Sequence, residues 1–116
     1  MTNPTILREL YDRVAAAEGP DTDLDDEIYR VPVKAGADPI GWQRNVTASL
    51  DAVEALRKRF LPGWSMIVDI FTDGIYAFIW SPTNKAQSMI SIGKTPTEER
   101  ARLLAILAAK IAMEEG

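Results

Sequence analysis

The chain has 116 residues, 47% of them hydrophobic and 26% charged, with a formal net charge of −4. That is enough for one modest core and a single domain. Cysteine and histidine are both absent, which excludes disulfides, thiolate zinc sites, cysteine nucleophiles and histidine acid–base or metal chemistry. The acidic balance argues against a dedicated binder of phosphate backbones. No basic-then-apolar leader is present, and no apolar run approaches the roughly 18 residues of a membrane span, so a cytoplasmic protein with no membrane contact is expected.

The charge is uneven. Residues 1–40 carry four basic and nine acidic side chains, whereas residues 41–116 carry nine and eight, so the acidity belongs to the N-terminal third.

In chain order, Thr2 or Asn3 followed by Pro4 predicts a helix start, since proline is tolerated in the first turn. Ile6, Leu7, Leu10, Tyr11, Val14 and Ala17 form one apolar stripe along it, and Gly19-Pro20 ends it. A short second helix is expected over Asp21–Tyr29, with Leu24 and Ile28 inward and acidic residues where the helix dipole favours them. Residues 31–44, with two prolines and two glycines, predict a loop crossing the fold, anchored by Trp42. A third helix is expected from about Thr47 to Phe60, its stripe Val46, Leu50, Val53, Leu56 and Phe60, with Arg57, Lys58 and Arg59 at the negative end of its dipole.

The stretch Trp64–Gly93 predicts a three-stranded meander. Met66, Val68 and Ile70 share one face of the first strand, and Ile67, Asp69 and Phe71 the other. Thr72-Asp73-Gly74 predicts a tight hairpin turn. The second strand sets Ile75, Ala77 and Ile79 against Tyr76, Phe78 and Trp80; after a turn at residues 81–85, a third strand is expected from Ala86 to Ile92. Thr95-Pro96-Thr97-Glu98 then predicts a capping box, with Thr95 as the N-cap of a helix reaching Met113. The apolar surface of that helix is wide enough to predict deep burial or a homodimer through it. No internal repeat or linker interrupts the series, which reads as an α+β fold of order α-α-(loop)-α-β-β-β-α. Its sheet is expected to be covered on one face by the third and fourth helices, with the N-terminal pair covering an edge or part of the second face.

Three candidate sites follow. The acidic run Asp21, Asp23, Asp25, Asp26, Glu27 suggests a calcium loop, but an EF-hand loop needs glycine sixth and glutamate twelfth. Counted from Asp21, those positions hold Asp26 and Pro32, so a solvated acidic helix start is the better reading. Asp69 and Asp73 are the remaining pair for carboxylate chemistry, yet turn and strand-end placement explain them without catalysis, and no nucleophile motif accompanies them. An enzyme is not expected, nor is a cofactor. The ladder Tyr76, Phe78, Trp80 is able to stack bases, as in sheet-based RNA binders, or to form a helix-covered core face. No basic residue interleaves it, which favours the core. The αβββα order from Thr47 to Met113 also matches that of double-stranded-RNA-binding domains, but Glu98 and Glu99 stand where that family needs cations.

Several strings carry a resemblance. Glu18-Gly19-Pro20-Asp21, Leu24-Asp25-Asp26-Glu27-Ile28, Thr47 to Ala52 (TASLDA) and Pro62-Gly63-Trp64 resemble a family of small proteins from bacteriophages and prophages of alphaproteobacteria, to which no activity is attached. The resemblance implies a small accessory or host-interaction factor. Together these readings predict a non-enzymatic protein–protein interaction module that modulates or inhibits a host defence or nucleic-acid-handling protein. Its acidic residues 21–27 would face a basic partner surface. The alternative is nucleic-acid binding through the aromatic ladder or the αβββα core.

Overall fold

The computed structural model describes residues 4–17, 21–29, 47, 49–81 and 90–115. The elements are α1 (Pro4–Ala16), α2 (Thr22–Tyr29), α3 (Leu50–Phe60), β1 (Ser65–Phe71), β2 (Gly74–Trp80), β3 (Ile90–Thr95) and α4 (Glu98–Glu115). The fold is α+β, with one antiparallel sheet in the order β1-β2-β3. The expected loop at 31–44 with Trp42, the Gly19-Pro20 stop, and the second turn with the first half of the expected third strand lie outside the described residues.

Local chemistry sets most element ends, sometimes displaced from the expected residue. Helix α3 starts at Leu50 rather than Thr47, because Ser49 adopts an extended backbone and its hydroxyl accepts from the Ala52 N–H at 3.3 Å, as an N-cap does. The helix closes through Leu61 N–H to the Arg57 carbonyl at 2.8 Å. A tight turn then bonds Trp64 N–H back to Leu61 at 3.1 Å, with Pro62 second and Gly63 third at φ +86°, the sequence a type II turn requires. The N-cap of α4 falls two residues later than expected, and with Arg100 at the third helical position it is a simple cap rather than a capping box. Thr95 ends β3, and its hydroxyl donates across the sheet to the Ile75 carbonyl; Thr97 is the cap, accepting from Arg100 N–H at 3.2 Å. The threonine with the better motif was taken by the strand.

The chief difference from expectation is the place of α4. Its buried residues Ala101, Leu103, Leu104, Ala105, Ile106, Leu107, Ala109 and Lys110 occupy every side of a helix that advances 100° per residue. Helix α4 touches all three strands and also α1 and α3. An all-round apolar helix is an interior helix, and here it separates the sheet from the other helices. The sequence expectation put α3 on the sheet and α1 on an edge or second face; instead both pack on α4. The wide apolar surface that suggested a dimer through this helix is thus used within the chain, leaving Ala112 and Met113 exposed at its end.

The core is continuous from Leu7, Leu10 and Val14 of α1 through Leu24 and Ile28 of α2, Val53, Leu56 and Phe60 of α3, and α4, to Ala77, Ile79 and Ile92 of the sheet. Each fully buried large aliphatic side chain contributes about 1.5–3 kcal/mol. Lys110 is buried with its Nζ 5.9 Å from the Phe60 ring centroid, which places its charge over the aromatic face.

Candidate functional site

Sheet register decides which side chains share a face. The pairs Met66–Ile79, Val68–Ala77 and Ile70–Ile75, with Ala77–Ile92 and Ile79–Ile90, define the face under α4. Directly opposed residues point the same way, so the other face carries Ser65–Trp80, Ile67–Phe78 and Asp69–Tyr76, with Phe71 opposite Gly74 and Ser91 opposite Phe78. The aromatic ladder therefore lies on the side away from α4, not in the helix-covered core. Ala77 and Ile79 occupy that core and are completely buried, whereas Tyr76, Phe78 and Trp80 are half-buried. None of the described helices packs on the ladder's face.

The ladder extends into an apolar patch. Ile67 and Phe71 on the same face are 52% and 56% exposed, and Ile70, at the hairpin end of the opposite face, is 69% exposed. The Phe71 and Tyr76 rings meet edge to face, with centroids 5.4 Å apart and planes at 80°, the arrangement that aligns a ring's positive rim with its neighbour's negative face. The Tyr76 hydroxyl donates to Asp73 Oδ2 at 2.9 Å. By accepting that bond, the Asp73 carboxylate holds the Tyr76 hydroxyl above its ordinary value of 10.0, and lost hydration adds in the same direction. The turn that supplies Asp73 is one residue earlier than Asp-Gly chemistry suggests: Thr72 and Asp73 are its central residues, and Gly74 opens β2 at φ +155°. An ideal Cβ at Gly74 would stand 2.6 Å from Lys94 Cγ.

The acidic run is mostly occupied by the fold. Asp21 caps α2, its Oδ1 accepting from Leu24 N–H at 3.0 Å, while its own N–H donates to the Thr47 hydroxyl at 2.9 Å. Asp25 is 5% exposed and takes both the Thr47 N–H and the Thr47 hydroxyl at 2.8 Å. Together these bonds bind α2 to the chain leading into α3. Glu27 pairs with Arg13 of α1. Asp26 is half-buried, and Asp23 alone of the five is exposed without a bond in this network. Among the described residues no group of three or more carboxylates is placed to hold a metal ion.

Of the carboxylate pair, Asp73 is bonded to Tyr76, and Asp69 stands opposite that same tyrosine on β1. Open grooves lie among the described residues. One of about 580 Å³ lies at the hairpin end, lined by Ile70, Phe71, Asp73, Lys94 and Pro96 among others; one of about 310 Å³ lies between α1 and α4, lined by Arg8, Tyr11, Asp12, Ala108 and Ile111. Neither brings two carboxylates together. Ile67, Ile70 and Phe71 were not singled out from the sequence as site residues; counting back from the hairpin turn sets Ile67 and Phe71 beside the ladder and Ile70 on the opposite face at the hairpin end.

No helix of the described residues is long and apolar enough to cross a membrane. Comparison of the chain with protein-family models, with curated proteins and with solved structures returned no match.

Proposed function

We propose that this chain is a non-enzymatic protein–protein interaction module, phage-encoded in origin, that modulates a host protein. The observation that carries this reading is the apolar face of Ile67, Phe71, Tyr76, Phe78 and Trp80 on the side of the sheet away from α4. Aromatic side chains at the centre of a partly wet surface are the usual anchors of protein interfaces. Asp69 and Asp73 lie among them, so the fitting partner is a host protein with an apolar patch rimmed by basic residues. The acidic α2 now has a lesser part, since Asp21, Asp25 and Glu27 are engaged within the chain.

The test is affinity capture from an alphaproteobacterial lysate with the natural chain and with the double variant Ile67→Ser/Phe78→Ser. The expected result is one protein retained by the first and lost by the second, while reversal of Asp23 leaves capture in place. Capture that survives the double variant refutes the assignment of the surface.

Nucleic-acid binding is the second reading, favoured by the same placement of the ladder on a face without a helix. The charge opposes it: along β1 and β2 that face carries Asp69 and Asp73 and no lysine or arginine, with Lys94 of β3 beside Gly74 at the hairpin end, and phosphate contacts supply most of the affinity of such binders. Titration with single-stranded oligonucleotides at physiological salt, read by Trp80 fluorescence against a Trp80→Phe control, separates the two.

A further inference from the structure

The two edges of the sheet differ. The described part of β3, Ile90–Thr95, is irregular between Ile75 and Ala77 where it meets β2, and carries Gly93 and Lys94. Those are features that blunt an edge against further pairing. Strand β1 has seven residues, SMIVDIF, without lysine, proline or bulge. Its side chains also hold three of the six large hydrophobic residues that stand exposed among the described residues: Ile67, Ile70 and Phe71.

The hairpin fixes which backbone groups of β1 are free. A two-residue loop closed by Phe71 and Gly74 makes that pair a hydrogen-bonded one. Alternation then assigns Phe71, Asp69, Ile67 and Ser65 to bonds with β2 and turns the N–H and C=O groups of Ile70, Val68 and Met66 outward. No other described backbone group bonds to them. The edge is thus a row of donors and acceptors at alternate residues, flanked on both faces by exposed aliphatic side chains.

We infer that the β1 edge is a self-association surface, on which a second copy of this chain pairs through its own β1, antiparallel about a two-fold axis at Val68. Only registers that set outward-facing residues against one another satisfy the backbone. Of these, the Val68-centred one alone uses all three: Met66 faces Ile70 of the second copy, Val68 faces Val68, and Ile70 faces Met66, with two hydrogen bonds per pair. It overlaps the whole strand. It also sets Asp69 against Ile67 of the second copy, whereas a two-fold axis at Asp69 would oppose two carboxylates, which is destabilising.

Size argues for a concentration-dependent dimer. Exposures of 52%, 69% and 56% for Ile67, Ile70 and Phe71 leave on the order of 300 Å² of side-chain surface per copy, given roughly 150–250 Å² for each such residue. Two copies then bring roughly 600 Å² of exposed side-chain surface to the junction besides their backbone edges, below the ~1,200 Å² of stable specific interfaces, which is the size of a weak association. The resulting six-stranded sheet would run the two aromatic faces together. The backbone edge of β1 is separate from the sheet face assigned to a host partner, although Ile67 and Phe71 border both; a register test reads the edge alone, and affinity capture reads the face.

The absence of cysteine allows a register test by oxidation of single-cysteine variants of the full chain. The H-bonded pair at Val68 has a Cα separation of about 5.5 Å, within disulfide range. Two Ile70 residues lie four steps apart along the strands, about 13 Å, and cannot bridge. V68C is expected to form covalent dimer on oxidation and I70C alone is not, while a mixture of M66C and I70C is expected to give the mixed dimer. Sedimentation of the natural chain is expected to rise from 12.8 kDa toward twice that mass between micromolar and millimolar concentration. I70K, at an exposed position, is expected to stay monomeric with an unchanged circular dichroism spectrum. A monomer at millimolar concentration, or self-crosslinking at I70C equal to that at V68C, would overturn the inference.

Discussion

Helix α4 offers the sharpest test of the architecture, because a helix lying on a sheet has a tolerant side and a helix inside the molecule has none. Leu107 and Ala105 sit about 160° apart around its axis, and both are fully buried. Leu107→Ala removes three carbons from one side and leaves a cavity, at a cost of about 3 kcal/mol, within the range for buried leucines. Ala105→Leu adds the same three carbons on the opposite side. If the neighbours there are close-packed, overpacking costs about 1–3 kcal/mol. Against a total stability of roughly 5–15 kcal/mol, each change is large, and the first should lower the melting temperature by about 10 °C. Urea unfolding followed by tryptophan fluorescence, with thermal melts by circular dichroism, measures both. The reasoning fails if either variant lies within about 0.5 kcal/mol of the natural chain, since one side of α4 would then be open.

Three further outcomes are expected. Thr47→Val removes the hydroxyl that donates to the buried Asp25 carboxylate and accepts from Asp21 N–H, leaving the backbone N–H of residue 47 as the donor to Asp25, and should cost about 1–3 kcal/mol in urea unfolding, whereas Asp23→Asn should be neutral. The Arg57 guanidinium, hydrogen-bonded to Glu54, holds that carboxyl below its ordinary 4.5; the pair therefore stabilises the fold above that value and loses its effect as pH falls through the lower folded value. Glu54→Gln should accordingly cost about 0.5 kcal/mol at pH 7 and nothing in strong acid, and an equal cost at both would refute the pairing. Absorbance titration should place one tyrosine above the ordinary value of 10.0, and Asp73→Asn should bring it down; an unmoved titration curve would dissociate Tyr76 from Asp73.

Features written in local chemistry were legible in the sequence. The Pro62-Gly63 turn, the hairpin before Gly74 and the stripe Leu7, Leu10, Val14 all follow from backbone and periodicity rules, and the α+β order emerged from them. What local chemistry cannot specify is which layer covers which. The apolar residues of α4 fit a wide stripe on a surface helix as well as an interior helix, and only contact with α1, α3 and the sheet distinguishes them. The ladder was misplaced for the same reason: aromatic residues favour strands on either face. Competing demands account for the displaced cap, because Thr95 satisfies a strand carbonyl and leaves capping to Thr97. The acidic run showed its charge in the sequence, but the bonds of Asp21 and Asp25 to Thr47 span 26 and 22 residues respectively and have no local signature.

The interior position of α4 also bears on how the molecule comes into being. Its closest partners include α1, so the first described helix finds its mate only when the last has been made. At about 5–20 residues per second on the ribosome, the sheet and the earlier helices wait several seconds with their apolar faces uncovered. Contacts so distant in sequence slow folding. During that wait β1 offers a free edge and an apolar face together, the state in which nascent chains pair wrongly or recruit a chaperone. For this fold, the order of synthesis is itself a hazard that the last helix ends.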